Sequence, residues 1–167
     1  MGADSPEIAV GTVRGGLYVG LLERATQRTC PTANQLADDY LSSRPQPPII
    51  VLDLSGCEWV DSTFAGWLLG LSKRMSRMPN GQMCVAGCGE RCHTSLDRMG
   101  LADLFQFEEI EAPSETQMIR CTTSDQPDKE ELKLMLAAHE ALVQLGPENA
   151  RIFAPIVATL RNQLENP

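Results

Sequence analysis

Six residues, Ile49-Ile50-Val51-Leu52-Asp53-Leu54, limit the choice of fold more than any other stretch of the chain. The run is short, nearly all apolar and β-branched at its start, which is the pattern of a strand buried on both faces. Such a strand belongs inside a sheet that has other layers stacked against it. Its flanks agree. Ahead of it, Arg44-Pro45-Gln46-Pro47-Pro48 is a break that no helix crosses. Behind it, after a short loop, residues 64–78 read as an amphipathic helix that stops at Pro79-Asn80-Gly81, a turn signal.

The rest of the chain supplies partners for that strand. Residues 8–13 and 17–22 read as two strands joined at Gly15-Gly16, a tight turn. Pro31-Thr32 marks a helix start, and Ala33, Leu36, Ala37, Tyr40 and Leu41 recur at helical spacing. Residues 83–86 read as a strand, 92–99 as a helix capped by Gly100, and 104–107 as a last short strand. Alternation of this kind predicts an α/β fold, and right-handed crossovers would place the helices on one face of the sheet.

The C-terminal part has a different character. Residues 112–127 hold Ser, Thr, Pro, Gln and Asp with few apolar side chains, and read as a linker or an irregular connection. Asp128 and Glu131 make a capping-box pair. Leu132, Met135, Leu136, His139, Leu142 and Val143 then form one stripe, and Gly146-Pro147 stops the helix. Phe153, Ile156, Val157, Leu160 and Leu164 form a second stripe, with Pro155 inside it, so that helix is expected to start or kink there. The predicted organisation is a domain over 1–111, a linker over 112–127 and an α-helical hairpin extension over 128–167.

Composition narrows the function classes. The chain has 167 residues, enough for one domain with some left over. With 14 Lys+Arg against 22 Asp+Glu the net charge is −8, which argues against a nucleic-acid partner and against an anionic membrane surface. No apolar stretch approaches the ~20 residues that span a bilayer. The opening MGADSPEIAV lacks a basic region and a long apolar region, so no secretory signal is expected. The six cysteines accordingly read as reduced thiols in a cytoplasm.

Two places carry chemistry. The first is Asp61-Ser62-Thr63, between the buried strand and the following helix. Ser and Asp are favoured helix caps, because their oxygens accept the unpaired N–H groups of the first turn. A cap alone would explain them. Trp67 reads as core, whereas Trp59, in the loop, is a candidate partner contact. The second place is Cys84, Cys88, Cys92 and His93, four soft ligands within ten residues. Their spacing, C-x3-C-x3-C-H, fits no familiar metal motif. Adjacent residues on a helix do not face each other, so Cys92 and His93 are no catalytic pair. No metal and no cofactor are expected.

The stretch IIVLDLSGCEWVDSTFAGWLLGLSKR, residues 49–74, resembles the signature of the STAS domain, the fold of anti-sigma factor antagonists. In that family a strand ending in Asp-Leu-Ser leads through a short loop to Asp-Ser-Ser or Asp-Ser-Thr, and a helix follows. Asp53-Leu54-Ser55 and Val60-Asp61-Ser62-Thr63 stand at the matching positions, and the likeness extends over roughly residues 8–110. It implies a STAS-like mixed β-sheet with helices packed on one face. It implies a bacterial, non-enzymatic binding module with Ser62 as phosphoacceptor and Thr63 as second candidate. The partners implied are an anti-sigma factor that is also the serine kinase, and a metal-dependent serine phosphatase. Asp61, Ser62, Thr63, Trp59 and Phe64 are the partner-binding residues implied. One departure stands out: the family has Gly-Leu-Gly after the hydroxyl pair, and this chain has Phe64-Ala65-Gly66. The rival within the family is a subunit that does not switch, such as an accessory piece of a lipid-transport ATPase. Outside it, the rival is a small metal or thiol protein using the cysteines. The helical extension lies beyond the family pattern. It is expected to pack on the body, to cover Ser62 until a partner displaces it, or to form a homodimer.

Overall fold

The computed structural model of the chain describes residues 6–121 and 126–166. The hairpin forms first in sequence: β1 (Glu7–Val13) and β2 (Gly16–Leu21) pair antiparallel, with Val13 opposite Gly16. The loop is therefore Arg14-Gly15, one residue earlier than expected. Both loop residues have positive φ, 56° and 77°, the backbone that a two-residue hairpin demands. After the short β3 (Glu23–Ala25), α1 (Cys30–Ser42) starts with Pro31 in its first turn. Next come β4 (Ile49–Asp53), β5 (Cys57–Val60) and α2 (Ser62–Ser76), then β6 (Gln82–Ala86) and α3 (Glu90–Arg98). The chain closes with β7 (Phe107–Glu108), β8 (Gln117–Arg120), α4 (Lys129–Val143) and α5 (Pro147–Glu165).

Among the described residues the main sheet has the order β7-β6-β4-β2-β1-β8. Its centre is parallel, with β4 between β2 and β6, and β1 and β8 run antiparallel at one side. The alternation along the strands divides the core. Ile8, Val19, Leu21, Ile50, Leu52 and Val85 join one large cluster, to which every helix also contributes buried residues. Ala9, Tyr18, Val51 and Ala86 point the other way into a small cluster with Ile110. So the helices pack on one face, as the sequence predicts, and β4 is buried on both.

Four features differ from expectation. The loop after β4 contains a strand: β5 pairs parallel with β3 in a small separate ribbon, which puts Trp59 on a strand. The strand expected at 104–107 is only the pair Phe107–Glu108, because residues 102–104 turn. The stretch 112–127 contains β8, hydrogen-bonded to β1, where it pairs an edge that would otherwise be open. Because β7 and β8 lie at opposite edges, residues 109–116 must cross the face that the helices leave bare. They pass close over β1: a Cβ on Gly11 would stand 3.0 Å from both Pro113 Cγ and the Glu115 carbonyl. The fourth feature is α5, which starts at Pro147 and continues through Pro155.

The extension forms a third layer. α2 is buried on nearly every side, including Phe64, Ala65, Gly66, Trp67, Leu68, Leu69 and Leu71, so it is not the half-solvated amphipathic helix that the pattern predicts. A helix apolar all round needs cover on both sides. The sheet lies beneath it and α4 lies on top, with α5 packed against α4. The capping box of α4 is in place, with the Glu131 N–H donating to Asp128 Oδ1 at 2.8 Å and the Asp128 N–H to Glu131 Oε2 at 3.2 Å.

Candidate functional site

Asp61 follows β5 in extended backbone (φ −88°, ψ 173°) and caps α2. Its own N–H donates to the Ala25 carbonyl at 3.0 Å, which joins it to the ribbon strand β3. Its Oδ1 accepts from the Phe64 N–H at 2.9 Å and its Oδ2 from the Gln27 N–H at 2.8 Å. The carboxylate therefore ties the start of α2 to the turn before α1. Burial pushes its pKa up. The N–H groups of Phe64 and Gln27, and the His139 side chain, pull the other way.

Ser62 is the first residue of α2 and half-buried. Its Oγ lies 2.9 Å from Nε2 of His139, a residue of α4 that is 77 positions away. The other ring nitrogen, Nδ1, lies 2.7 Å from the Met135 carbonyl. A carbonyl only accepts, so Nδ1 carries the proton in the neutral ring. Nε2 is then the acceptor and the Ser62 hydroxyl donates to it. His139 is 3% exposed, and its ring centroid lies 6.0 Å from that of Phe153 on α5. Serine and imidazole at this distance have the reach of a nucleophile and its base. Here the pair is a contact between two packed helices. The neighbouring groove between α2 and α4 is lined by Gly66, Trp67, Gly70, Leu134 and Ala138 and does not include Ser62.

The remaining site residues divide by depth. Thr63 is 3% exposed and Phe64 is fully buried, so the bulky side chain that replaces the family glycine goes into the core. Phe64 packs against Trp67, ring centroids 5.2 Å apart, and Trp67 donates its indole N–H to Asn34 Oδ1 at 2.9 Å. Trp67 is core, as expected. Trp59 is 48% exposed, with the Arg24 guanidinium 5.9 Å from its ring centroid. Asp61, Ser62 and Thr63 thus meet at one helix start, Phe64 turns inward and Trp59 stands on the ribbon outside.

Two residues of this site have roles that the sequence did not reveal. His139 reads as a packing residue, and no local pattern says which helix it faces. Gly66 marks the closest approach of α4: a Cβ added there would stand 2.1 Å from the Ala138 carbonyl oxygen and 2.5 Å from its carbon. Its signal was present in the sequence as a glycine in the middle of a helix.

The cysteine cluster divides: Cys84 and His93 face elsewhere, while Cys88 and Cys92 stay together and Cys57 joins them. Cys84 donates to Glu108 Oε2 at 2.6 Å, and its thiol is pushed up to about 12 by burial and by that carboxylate. Cys88 and Cys57 each share a hydrogen bond with Cys92, which holds both of their thiols below the ordinary range. His93 packs its ring 5.9 Å from Phe107. Among the described residues no group of three or more His, Cys, Asp or Glu side chains could hold a metal ion. Among them also, no helix is long and apolar enough to cross a membrane.

Fold and site together define a class: small α/β domains with a mixed sheet, helices on one face and a capped hydroxyl at the start of the helix that follows the central strand. Residues 18–113, more than half of the chain, match the family model of the STAS domain, and the chain belongs to that family. Two solved structures are similar. One is an anti-sigma factor antagonist from Mycobacterium paratuberculosis, 19% identical, covering 64% of this chain and 89% of that one with a TM-score of 0.49. The other is the anti-sigma factor antagonist SpoIIAA in its unphosphorylated form, 11% identical, covering 60% and 87% with a TM-score of 0.51. The second likeness shows the fold. A search of curated proteins found no match. The family match ends before β8, so α4 and α5 lie outside it.

Proposed function

We propose that this chain is a bacterial, cytoplasmic anti-sigma factor antagonist. On this reading it is a binding module, not an enzyme, and reversible phosphorylation of Ser62 switches it. The observation that carries the reading is the place of Ser62. It is the first residue of α2, directly after the capping carboxylate, and the residue is partly exposed where Thr63 is sunk in the core. Membership of the STAS family and the fold shared with SpoIIAA support it. The partners are an anti-sigma factor with serine kinase activity and a serine phosphatase that resets the site. Trp59 and Asp61 flank the phosphoacceptor on the face the kinase reads.

The physics of the switch is local. A phosphate adds about −1.5 to −2 charges and three acceptor oxygens. A helix start tolerates an anion, because its free N–H groups point at it. Asp61 opposes it by like charge. The expected result is an unchanged sheet and a changed surface at the start of α2. The test is mass spectrometry of the protein from its own cells, resting and stressed, beside Ser62→Ala. A phosphate on Ser62 that varies with conditions and disappears in the variant is the expected result. No phosphate under any condition overturns the switch and leaves a constitutive binding subunit, with Asp61-Ser62 as a cap.

A further inference from the structure

The face of α2 that carries Ser62 is already occupied. Ser62, Gly66 and Gly70 are spaced four apart, so they stack as one ridge of small residues along the helix. α4 lies on that ridge. At one point the Ala138 main chain sits in the notch left by Gly66, where even a methyl group would overlap it. One residue further on, His139 reaches the Ser62 hydroxyl. A phosphorus atom bonded to Ser62 Oγ would stand nearer to it than Nε2 does at 2.9 Å. A phosphate on Ser62 would therefore contend with the buried ring for the side of the hydroxyl that it now occupies.

The seat does not run the length of the ridge. Beside it an open groove of about 190 Å3 is bordered by Trp67, Gly70, Leu134 and Ala137, with Asn34 and Arg74 at its rim. A Cβ on Gly70 would meet nothing within 4 Å. α4 and α5 are also tied to each other: Arg161 on α5 pairs with Glu140 on α4 at 3.0 Å, and the Phe153 ring on α5 lies 6.0 Å from the His139 ring on α4. The hairpin's other anchor is Asn149, whose side chain donates to the Met99 carbonyl at 2.9 Å.

We propose that α4 and α5 form an intramolecular lid, seated through Gly66, that holds Ser62 out of reach, and that the partner and the lid compete for the same ridge on α2. The proposal rests on the reading of Ser62 as the regulated residue, and it adds a closed resting form to it. Opening exposes Ser62, Gly66 and Gly70 together, which is a groove fit for a helix of the partner in place of α4.

The test uses the full chain and needs no kinase. Ser62→Cys places a thiol under the lid, and its alkylation by iodoacetamide is followed by peptide mass. It is compared with Ser62→Cys/Gly66→Ala, in which the added methyl unseats Ala138 while alanine favours the helix more than glycine does. Labelling at position 62 is expected to be at least tenfold faster in the double variant, with amide protection in β2, β4 and β6 unchanged. Should Gly66→Ala fail to fold, Ala138→Glu approaches the same contact from the lid side and changes only α4. Equal rates with and without the unseating change, or a rate in Ser62→Cys alone as fast as that of free cysteine, would overturn the lid. Because no phosphate is involved, an absence of Ser62 phosphorylation in cells leaves this result standing, and failure here leaves phosphorylation standing.

Discussion

Asp61 uses both of its carboxylate oxygens, one on the Phe64 N–H and one on the Gln27 N–H. Asparagine offers a single oxygen, and its amide group donates. In Asp61→Asn one of the two N–H groups therefore loses its acceptor and faces a donor. The Gln27 N–H is the exposed one and can turn to water, so the expected loss of stability is about 0.5–1.5 kcal/mol, the net contribution of one hydrogen bond. Asp61→Ala strands both and is expected to lose more. Urea unfolding checks this as a lower midpoint at unchanged slope. An alanine variant no less stable than the asparagine variant would mean that the second bond contributes nothing. At this scale the sequence was informative where the chemistry is local. A Ser beside an Asp after a buried strand places a cap and a hydroxyl at a helix start. The contact with His139 spans 77 positions, and neither residue carries a local mark of the other.

The elements divide in the same way. Those with long, regular periods were legible: the hairpin, α1, β4, β6, and the two helices of the extension. β3, β5, β7 and β8 have two to four residues each and exist because a neighbouring strand offers its edge, which no short window records. α2 was found but misread. Phe64-Ala65-Gly66-Trp67-Leu68-Leu69-Gly70-Leu71 contains no polar residue, and that absence was the sign of a helix covered on both sides. The two covers are not equivalent, and two buried leucines report on them separately. Leu68 is fully buried in α2, between sheet and lid, and Leu142 is fully buried in α4. Leu68→Ala is expected to lower global stability by about 2–5 kcal/mol. Leu142→Ala removes as much packing, but once the lid opens separately that loss ends at the opening step. Its expected signature is faster amide exchange across α4 and α5 with little change in the urea midpoint of the sheet. An equal fall in midpoint for both variants would mean that the hairpin unfolds only with the whole domain.

The whole molecule is a sheet covered on one face by two helical layers and crossed on the other by residues 109–116. That arrangement bears on the expectation of a homodimer through the C-terminal helices. The stripes that made the hairpin look like an interface are spent inside the chain: Ala138, His139 and Leu142 are buried on α4, and Phe153, Val157 and Leu160 on α5. What α5 leaves outside is Ile152 and Ile156, 40% and 38% exposed and one turn apart. Two side chains fall far short of the ~800 Å2 per partner that a stable interface buries. The net charge of −8 opposes self-association as well. The closed chain is therefore expected to sediment as a monomer of 18.3 kDa at micromolar concentration. A dimer would sink that expectation, and two variants would then locate its interface. If Ile152→Lys and Ile156→Lys abolish it, the contact is the outer face of α5. If they leave it intact, the hairpin has been exchanged between copies, with α4 of each chain seated on Gly66 of the other.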